Sequence, residues 1–203
     1  MRDITTTAYA VLGLLAVRPW TTYELARQME RSFRHFWPRA ESNLYAAAAS
    51  LVRLGLAERR SEYVGRRLRQ VYSITAKGRR ELRSWIAEPG RGPVLEFEQL
   101  LKVFLADQGS KEDILANAAA AAAWARDMKS QGASISQTYL AGKGPFEERL
   151  ALIALTMKFL WGFASLVETW AQWVECEVAG WPEAPAGWPA RMDAFAETLQ
   201  PNH

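Results

Sequence analysis

Apolar residues recur three and four positions apart along most of the chain, with one interruption near position 65. Ile4, Ala8, Val11, Leu12 and Leu15 predict a helix over 4–17, closed by Arg18-Pro19-Trp20. Thr21-Thr22-Tyr23-Glu24 has capping-box spacing and predicts a second helix, with Leu25, Met29 and Phe33 inward. Phe36-Trp37-Pro38 makes the turn that follows. A third helix of about three to four turns is predicted over Glu41–Leu56. Its face holds Leu44, Leu51 and Leu54, beside Tyr45, Ala47 and Ala48, and Gly55 is its left-handed C-cap. From Leu56 to Ile74 the pattern becomes strand-like and folds back at Val64-Gly65-Arg66-Arg67. Thr75 caps a fourth helix to about Glu88, with Leu82, Trp85 and Ile86 inward and Arg79, Arg80 and Arg83 solvated.

Pro89-Gly90-Arg91-Gly92-Pro93 is a short linker. Beyond it Phe97, Leu100, Leu101 and Phe104 predict a short amphipathic helix. Ser110-Lys111-Glu112-Asp113 is a second capping box and opens a long alanine-rich helix to about Leu140. Ile114, Leu115, Ala118, Ala122, Ala125, Met128, Ile135 and Tyr139 keep its phase, with Gly132 as a candidate bend. A second long helix covers Phe146–Val178. Leu152, Leu155, Phe159, Phe163, Leu166, Trp170 and Trp173 form a near-heptad seam on it, which predicts an antiparallel helix pair and a further partner to cover the remainder. Trp181-Pro182 to Trp188-Pro189 reads as a loop, and Ala190–Leu199 as a last short helix.

Charge changes this picture. The chain has 203 residues and a formal net charge of +3, but the charge is uneven. Residues 1–90 hold 16 Lys+Arg against 8 Asp+Glu, a net +8, and residues 91–203 hold 9 against 14, a net −5. One end suits a polyanion and the other something else. The single cysteine, Cys176, excludes an intrachain disulfide framework and reads as a small core or interface residue. No apolar signal core follows Met1, which points to a cytoplasmic protein. The apolar run Phe159–Val178 contains Glu168, Glu175 and Glu177, so it is expected to be a buried helix and not a membrane span. No dinucleotide fingerprint, phosphate-binding loop or metal-ligand spacing occurs, and two histidines offer no catalytic set. No catalytic residue, metal or cofactor is expected.

Helix, turn, helix and basic hairpin is the order of a winged helix-turn-helix, whose second helix enters the major groove. The pieces Ala10-Val11-Leu12-Gly13-Leu14-Leu15, Tyr23-Glu24-Leu25, Leu44-Tyr45, Leu51 through Gly55-Leu56, and Tyr72-Ser73-Ile74-Thr75-Ala76-Lys77-Gly78 occur in one order and spacing. Together they resemble the PadR family of transcriptional regulators over the first ninety residues. The rest resembles, by helix pattern alone, the helical C-terminal part of longer members. The fold class expected is mainly α with a small β-hairpin wing. A winged helix-turn-helix domain over 1–88 and a linker over 89–93 precede a long-helix dimerisation and effector domain over 94–203.

The resemblance implies a homodimeric repressor bound to an inverted-repeat operator in double-stranded DNA and released by a small molecule. Candidate DNA contacts are Arg39, Glu41, Ser42, Asn43 and Tyr45 near the start of the third helix. Asn reads adenine, Arg reads guanine, and Ser and Tyr bind phosphate. Ser42 or Asn43 is alternatively a helix cap. Arg59, Arg60, Arg66, Arg67 and Arg69 bracket the hairpin turn and suit phosphates or a minor groove, or else guard a solvated edge. Family members often carry Pro or a basic residue where this chain has Ala46-Ala47-Ala48-Ala49-Ser50. That departure keeps open a rival reading, a ligand-sensing or protein-interaction module with a degenerate DNA-binding head. Phe159, Phe163, Leu166, Trp170 and Trp173 are the dimerisation candidates. Trp161, off the seam among polar residues, could with Trp124 and Met128 hold a planar aromatic ligand, while the other tryptophans fill space between helices.

Overall fold

A computed structural model describes residues 4–38, 40–64 and 67–197. The chain divides into two compact units, Met1–Pro93 and Val94–His203.

The first unit begins with α1, Thr6–Val17, capped by Thr5, whose side chain accepts from the Ala8 amide. Its Val11, Leu12 and Leu15 are fully buried, and α1 packs chiefly on α3. Next come β1, Trp20–Thr21, and α2, Thr22–Phe33, opened by the expected capping box of Thr21 and Glu24. The Thr21 hydroxyl and then its amide hold the Glu24 carboxyl below its ordinary range, so it stays an acceptor at neutral pH. The third helix, α3, covers Glu41–Arg53. Strands β2, Ala57–Val64, and β3, Arg67–Ile74, form the hairpin, and β1 adds to β3, giving the antiparallel order β1-β3-β2. The strand at Trp20 escapes the periodicity because two residues are too few to show a period of two. It exists because Trp20 pairs with Tyr72 and Thr21 with Val71. Helix α4, Ala76–Ile86, stacks Trp85 on Tyr9 at 4.6 Å, and the Tyr9 hydroxyl donates to Glu81 at 2.7 Å. Ile86, expected inward, is exposed, since α4 ends there with no further element of this unit beneath it among the described residues.

In the second unit, α5 spans Glu98–Phe104, α6 Lys111–Leu140 and α7 Leu150–Ala179, with a short α8 at Met192–Glu197. The Ser110–Asp113 capping box forms as expected. Helices α6 and α7 pair as the main contact of the unit. The seam between them is made of small residues: Ala118, Ala121, Ala122 and Ala125 against Ala164, Val167, Ala171 and Val174. Gly132 sits where an added Cβ would lie 3.4 Å from Met157, so its lack of a side chain gives room to α7.

The bulky stripe on α7 is not in this seam, contrary to the sequence expectation. Leu155 is 72% exposed, Phe159 64% and Leu166 65%, while Phe163 and Trp170 lie half-buried at its border. The physical reason is approach distance: alanine and valine let two helix axes come close, and rings do not. Helix α7 therefore has two apolar faces and α6 covers the smaller. Within the single chain only 11% of its most apolar stretch is buried. By length and composition alone that helix could cross a membrane, yet it carries Lys158, Glu168 and Glu175. Helix α5 behaves alike, with Leu101, Phe104 and the following Leu105 exposed. Cys176 is also exposed and not a core residue.

Candidate nucleic-acid interface

Recognition helices need one face anchored and the other free. In α3 the anchor is Leu44, Ala47, Ala48 and Leu51, all buried. At 100° per residue the opposite face carries Ser42, Ala46, Ala49 and Arg53, flanked by Tyr45 and Asn43. All six are exposed. The N-cap is Ala40, with extended backbone and no side-chain cap bond. Ser42 and Asn43 already lie within the helix and do not cap it, because the chain turns helical at Glu41 to bring Leu44 inward. The Tyr45 hydroxyl donates to Glu41 at 3.4 Å. Partial desolvation, then the adjacent Glu41 carboxylate, holds the phenol above its ordinary range. It is a neutral donor at pH 7. Arg39 lies outside the described residues.

The far end of α3 is fastened from three sides. Gly55 takes φ +67°. The Leu56 amide donates to Leu51 at 2.9 Å and the Gly55 amide to Val52 at 3.0 Å, the paired bonds of a glycine C-cap. The Thr75 hydroxyl donates to the Gly55 carbonyl at 2.9 Å and accepts from the Gly78 amide at 3.0 Å. Lys77 Nζ donates to the Leu54 carbonyl at 2.8 Å, placing a cation at the negative end of the helix. Gly78 stands so close that a Cβ there would lie 2.1 Å from the Leu56 oxygen. In the sequence Thr75-Ala76-Lys77-Gly78 is only a family mark and a cap for α4. Its physical work is to set the angle between recognition helix, wing and α4.

Along the wing, strand pairing places Glu62 opposite Arg69 and Val64 opposite Arg67. Arg59, Arg60 and Arg69 are exposed, and Arg60 meets Glu58 at 3.3 Å. Arg66 lies outside the described residues, as does the side chain of Arg67. A further basic row was missed in the sequence. Tyr23, Arg27 and Arg31 share one exposed side of α2, opposite Leu25 and Met29, with the exposed Arg34 just past its end, and Arg27 lies 5.8 Å over the Tyr23 ring. Its signal was the four-residue spacing of charges opposite an apolar face.

The ligand candidates do not meet. Trp124 packs edge-on against Phe163 at 5.9 Å, while Trp161 lies 5.2 Å from Lys129 Nζ, which pairs with Glu168 at 2.8 Å. Trp161 and Phe163 are two residues apart, about 200° around the helix. Trp124 thus lies by Phe163 and Trp161 by Lys129, and Met128 is buried.

Three short helices, a three-stranded wing and an outward helix face define a winged helix-turn-helix DNA-binding fold. Residues 11–84 match the transcriptional regulator PadR-like family. A probable transcriptional regulator of Mycobacterium tuberculosis is 33% identical over 94 residues, which cover 43% of this chain. The match spans about half the length of that relative, 50%. The fold resembles Bacillus subtilis PadR crystallised with operator DNA, at TM-score 0.70 and 17% identity, over 86% of this chain and 99% of that one. It also resembles the Vibrio cholerae virulence activator AphA, at TM-score 0.65 and 22% identity, over 86% and 98%. Bacillus subtilis PadR with p-coumaric acid gives 0.66 and 17%, over 86% and 99%. Residues 11–84 carry a domain like that of the PadR-like family of transcriptional regulators.

Proposed function

We propose that this chain is a homodimeric repressor that binds an inverted-repeat operator in the cytoplasm and is released by a small-molecule effector. Residues 1–88 bind DNA, 89–93 link, and 94–203 dimerise. The observation that carries the DNA reading is the free face of α3 beside an arginine-bearing wing, within residues 1–90 of net +8. Asn43 and Ser42 reach base edges or phosphate, and Ala46 and Ala49 touch thymine methyl groups, the readout open to a side chain that ends at Cβ. Glu41 accepts from a cytosine amine. Arg27 and Arg31 on α2 track the backbone, since the first helix of such a pair crosses it. Dimerisation is supported by the uncovered Phe159, Leu166 and Trp173, bordered by Phe163 and Trp170, and by the uncovered Leu101 and Phe104 of α5. Two subunits would set their recognition helices about 34 Å apart.

A planar aromatic effector is supported by the aromatic acid held by Bacillus subtilis PadR and by the half-open Trp124–Phe163 and Trp161–Lys129 edges. At the Trp161 edge Lys129 is paired with Glu168, so the ring face there suits a planar ring more than its carboxylate.

The test is a mobility-shift titration and footprint on DNA upstream of the chain's own gene. A protected inverted repeat is expected, and no protection at any salt concentration sinks the reading. Arg69→Ala should flatten the log–log salt dependence by about 0.9 and weaken all sequences alike. Asn43→Ala should instead cost about 1–3 kcal/mol at one base pair in each half-site, relaxing preference there. An unchanged preference would move base readout away from Asn43.

A further inference from the structure

The turn between α1 and α2 holds an arginine that the core does not use. Arg18 sits over Trp20, its guanidinium carbon 3.5 Å from the ring centroid. The platform is fixed. Trp20 is buried, its indole N–H donates to the Leu14 carbonyl at 2.8 Å, and its backbone pairs with Tyr72 of β3. A guanidinium stacked on a ring keeps its N–H edges open. Among the described residues those N–H groups make one hydrogen bond, from Nη1 to the Pro19 carbonyl at 3.3 Å.

Facing Arg18 is a carboxylate with one oxygen to spare. Glu24 caps α2 through Oε2, which accepts from the Thr21 amide at 2.9 Å and the Thr21 hydroxyl at 2.7 Å. A glutamine would serve that cap as well, since the capping box takes either residue. Oε1 instead lies 3.9 Å from Arg18 Nη1, too far for the short bond of a charge-assisted pair. After the Thr21 hydroxyl and amide, the Arg18 cation also lowers the Glu24 carboxyl, so the pair is ionic at neutral pH. The two side chains are 48% and 43% exposed, so a third partner can reach them from solvent. An exposed pair this loose contributes little. A phosphate offers what this carboxylate does not: oxygens free to meet the guanidinium edge at hydrogen-bond distance. The surroundings favour DNA as its source. At 100° per residue Arg27 and Arg31 fall within about 60° of Glu24 around α2, and both are exposed. Arg18 continues that row past the start of the helix, and the first helix of such a pair crosses the DNA backbone.

We propose that Arg18 is a DNA-phosphate ligand held ready on Trp20, and that Glu24 is its resident counter-anion, giving way to the phosphate on binding. The proposal rests on the operator-binding reading above. It adds a contact at the α1–α2 turn with a built-in competitor, which limits affinity for DNA of any sequence.

The experiment titrates the full chain and its variants, across salt concentrations, with the DNA upstream of its own gene and with a random-sequence duplex. Arg18→Gln should weaken binding to both and flatten the log–log salt slope by about 0.9. Arg18→Lys should recover the slope but not the full affinity, because an ammonium carries the charge without the stacked fork. Glu24→Gln should melt with the wild type and bind both duplexes about threefold tighter, the contribution of an exposed ion pair. Added to Arg18→Gln, the same change should bring no gain. A wild-type slope in Arg18→Gln overturns the proposal. So does wild-type affinity in Glu24→Gln, or a gain from it that persists without Arg18, which would reduce Glu24 to net charge alone. A wild type that binds neither duplex is a separate result and overturns the DNA reading itself.

Discussion

Replacing Gly78 with alanine lowers the melting temperature of the N-terminal unit by more than about 10 °C. The added methyl carbon would lie 2.1 Å from the Leu56 carbonyl oxygen, 2.9 Å from Ile74 Cγ1 and 3.0 Å from the Leu56 carbonyl carbon. Two of these are backbone atoms and cannot swing aside. The Leu56 carbonyl also accepts from the Thr75 amide at 3.1 Å. Moving it loosens both the C-cap of α3 and the first turn of α4. Overpacking of this kind costs about 3 kcal/mol. Gly13→Ala is the matched control. It lies inside α1, and a methyl group added there would meet nothing within 4 Å. Alanine there should stabilise by about 0.5–1 kcal/mol, because glycine is the poorer helix former. Thermal unfolding of the full chain by circular dichroism checks both signs. Hydrogen exchange of the buried α1 and α3 amides assigns the loss to this unit. A Gly78→Ala protein that melts with the wild type would show that α4 does not clamp the recognition helix. That change would also reduce DNA binding, since the clamp sets the helix against the wing.

How much of this could be read from the sequence depended on whether the signal was local. Thr21 with Glu24, Ser110 with Asp113, and Gly55 after Leu54 each announce a helix end through side chains within four residues, and all three form as expected. The hairpin was legible from its change of period. Strand β1 was not, because Trp20 and Thr21 become a strand only by meeting Val71 and Tyr72 fifty residues later. The candidate contacts on α3 could be named but not oriented. Ser42 and Asn43 look like caps until Ala40 is seen to take that place. Lys77 carried no local hint of its reach to Leu54, twenty-three residues back.

Helix α7 shows the deeper limit. A period of three and four identifies a face but not which neighbour covers it. The sequence offers two candidate faces there, a bulky one through Leu155, Phe159 and Leu166 and a small one through Ala164, Val167 and Ala171. Hydrophobicity favours the bulky face. Close approach to the alanines of α6 favours the small one, and packing decides for it. The same ambiguity left the ligand candidates unoriented in the sequence: Trp124 meets Phe163 and Trp161 lies by Lys129.

That choice of face yields a sharper version of the dimer test. Phe159→Asp combined with Leu166→Asp should give a folded monomer. Both side chains are about two-thirds exposed in the single chain, at 64% and 65%, so a carboxylate at either site meets water in the monomer and costs the fold little. In a dimer the same carboxylates would be buried without a partner cation, and each would cost several kcal/mol. Ala171→Asp is the contrast. Ala171 is fully buried between α6 and α7, so a carboxylate there should unfold the second unit whatever the oligomeric state. Sedimentation equilibrium with circular dichroism separates the three outcomes. Wild type should sediment as a dimer, the double variant as a helical monomer, and Ala171→Asp as unfolded or aggregated chain. The monomer should also bind a two-half-site operator far more weakly, because joining the heads makes the second contact intramolecular and adds on the order of a hundredfold. Its binding to a single half-site should match that of one wild-type head. A double variant that still sediments as a dimer would move the interface off this stripe, to the exposed Leu101 and Phe104 of α5.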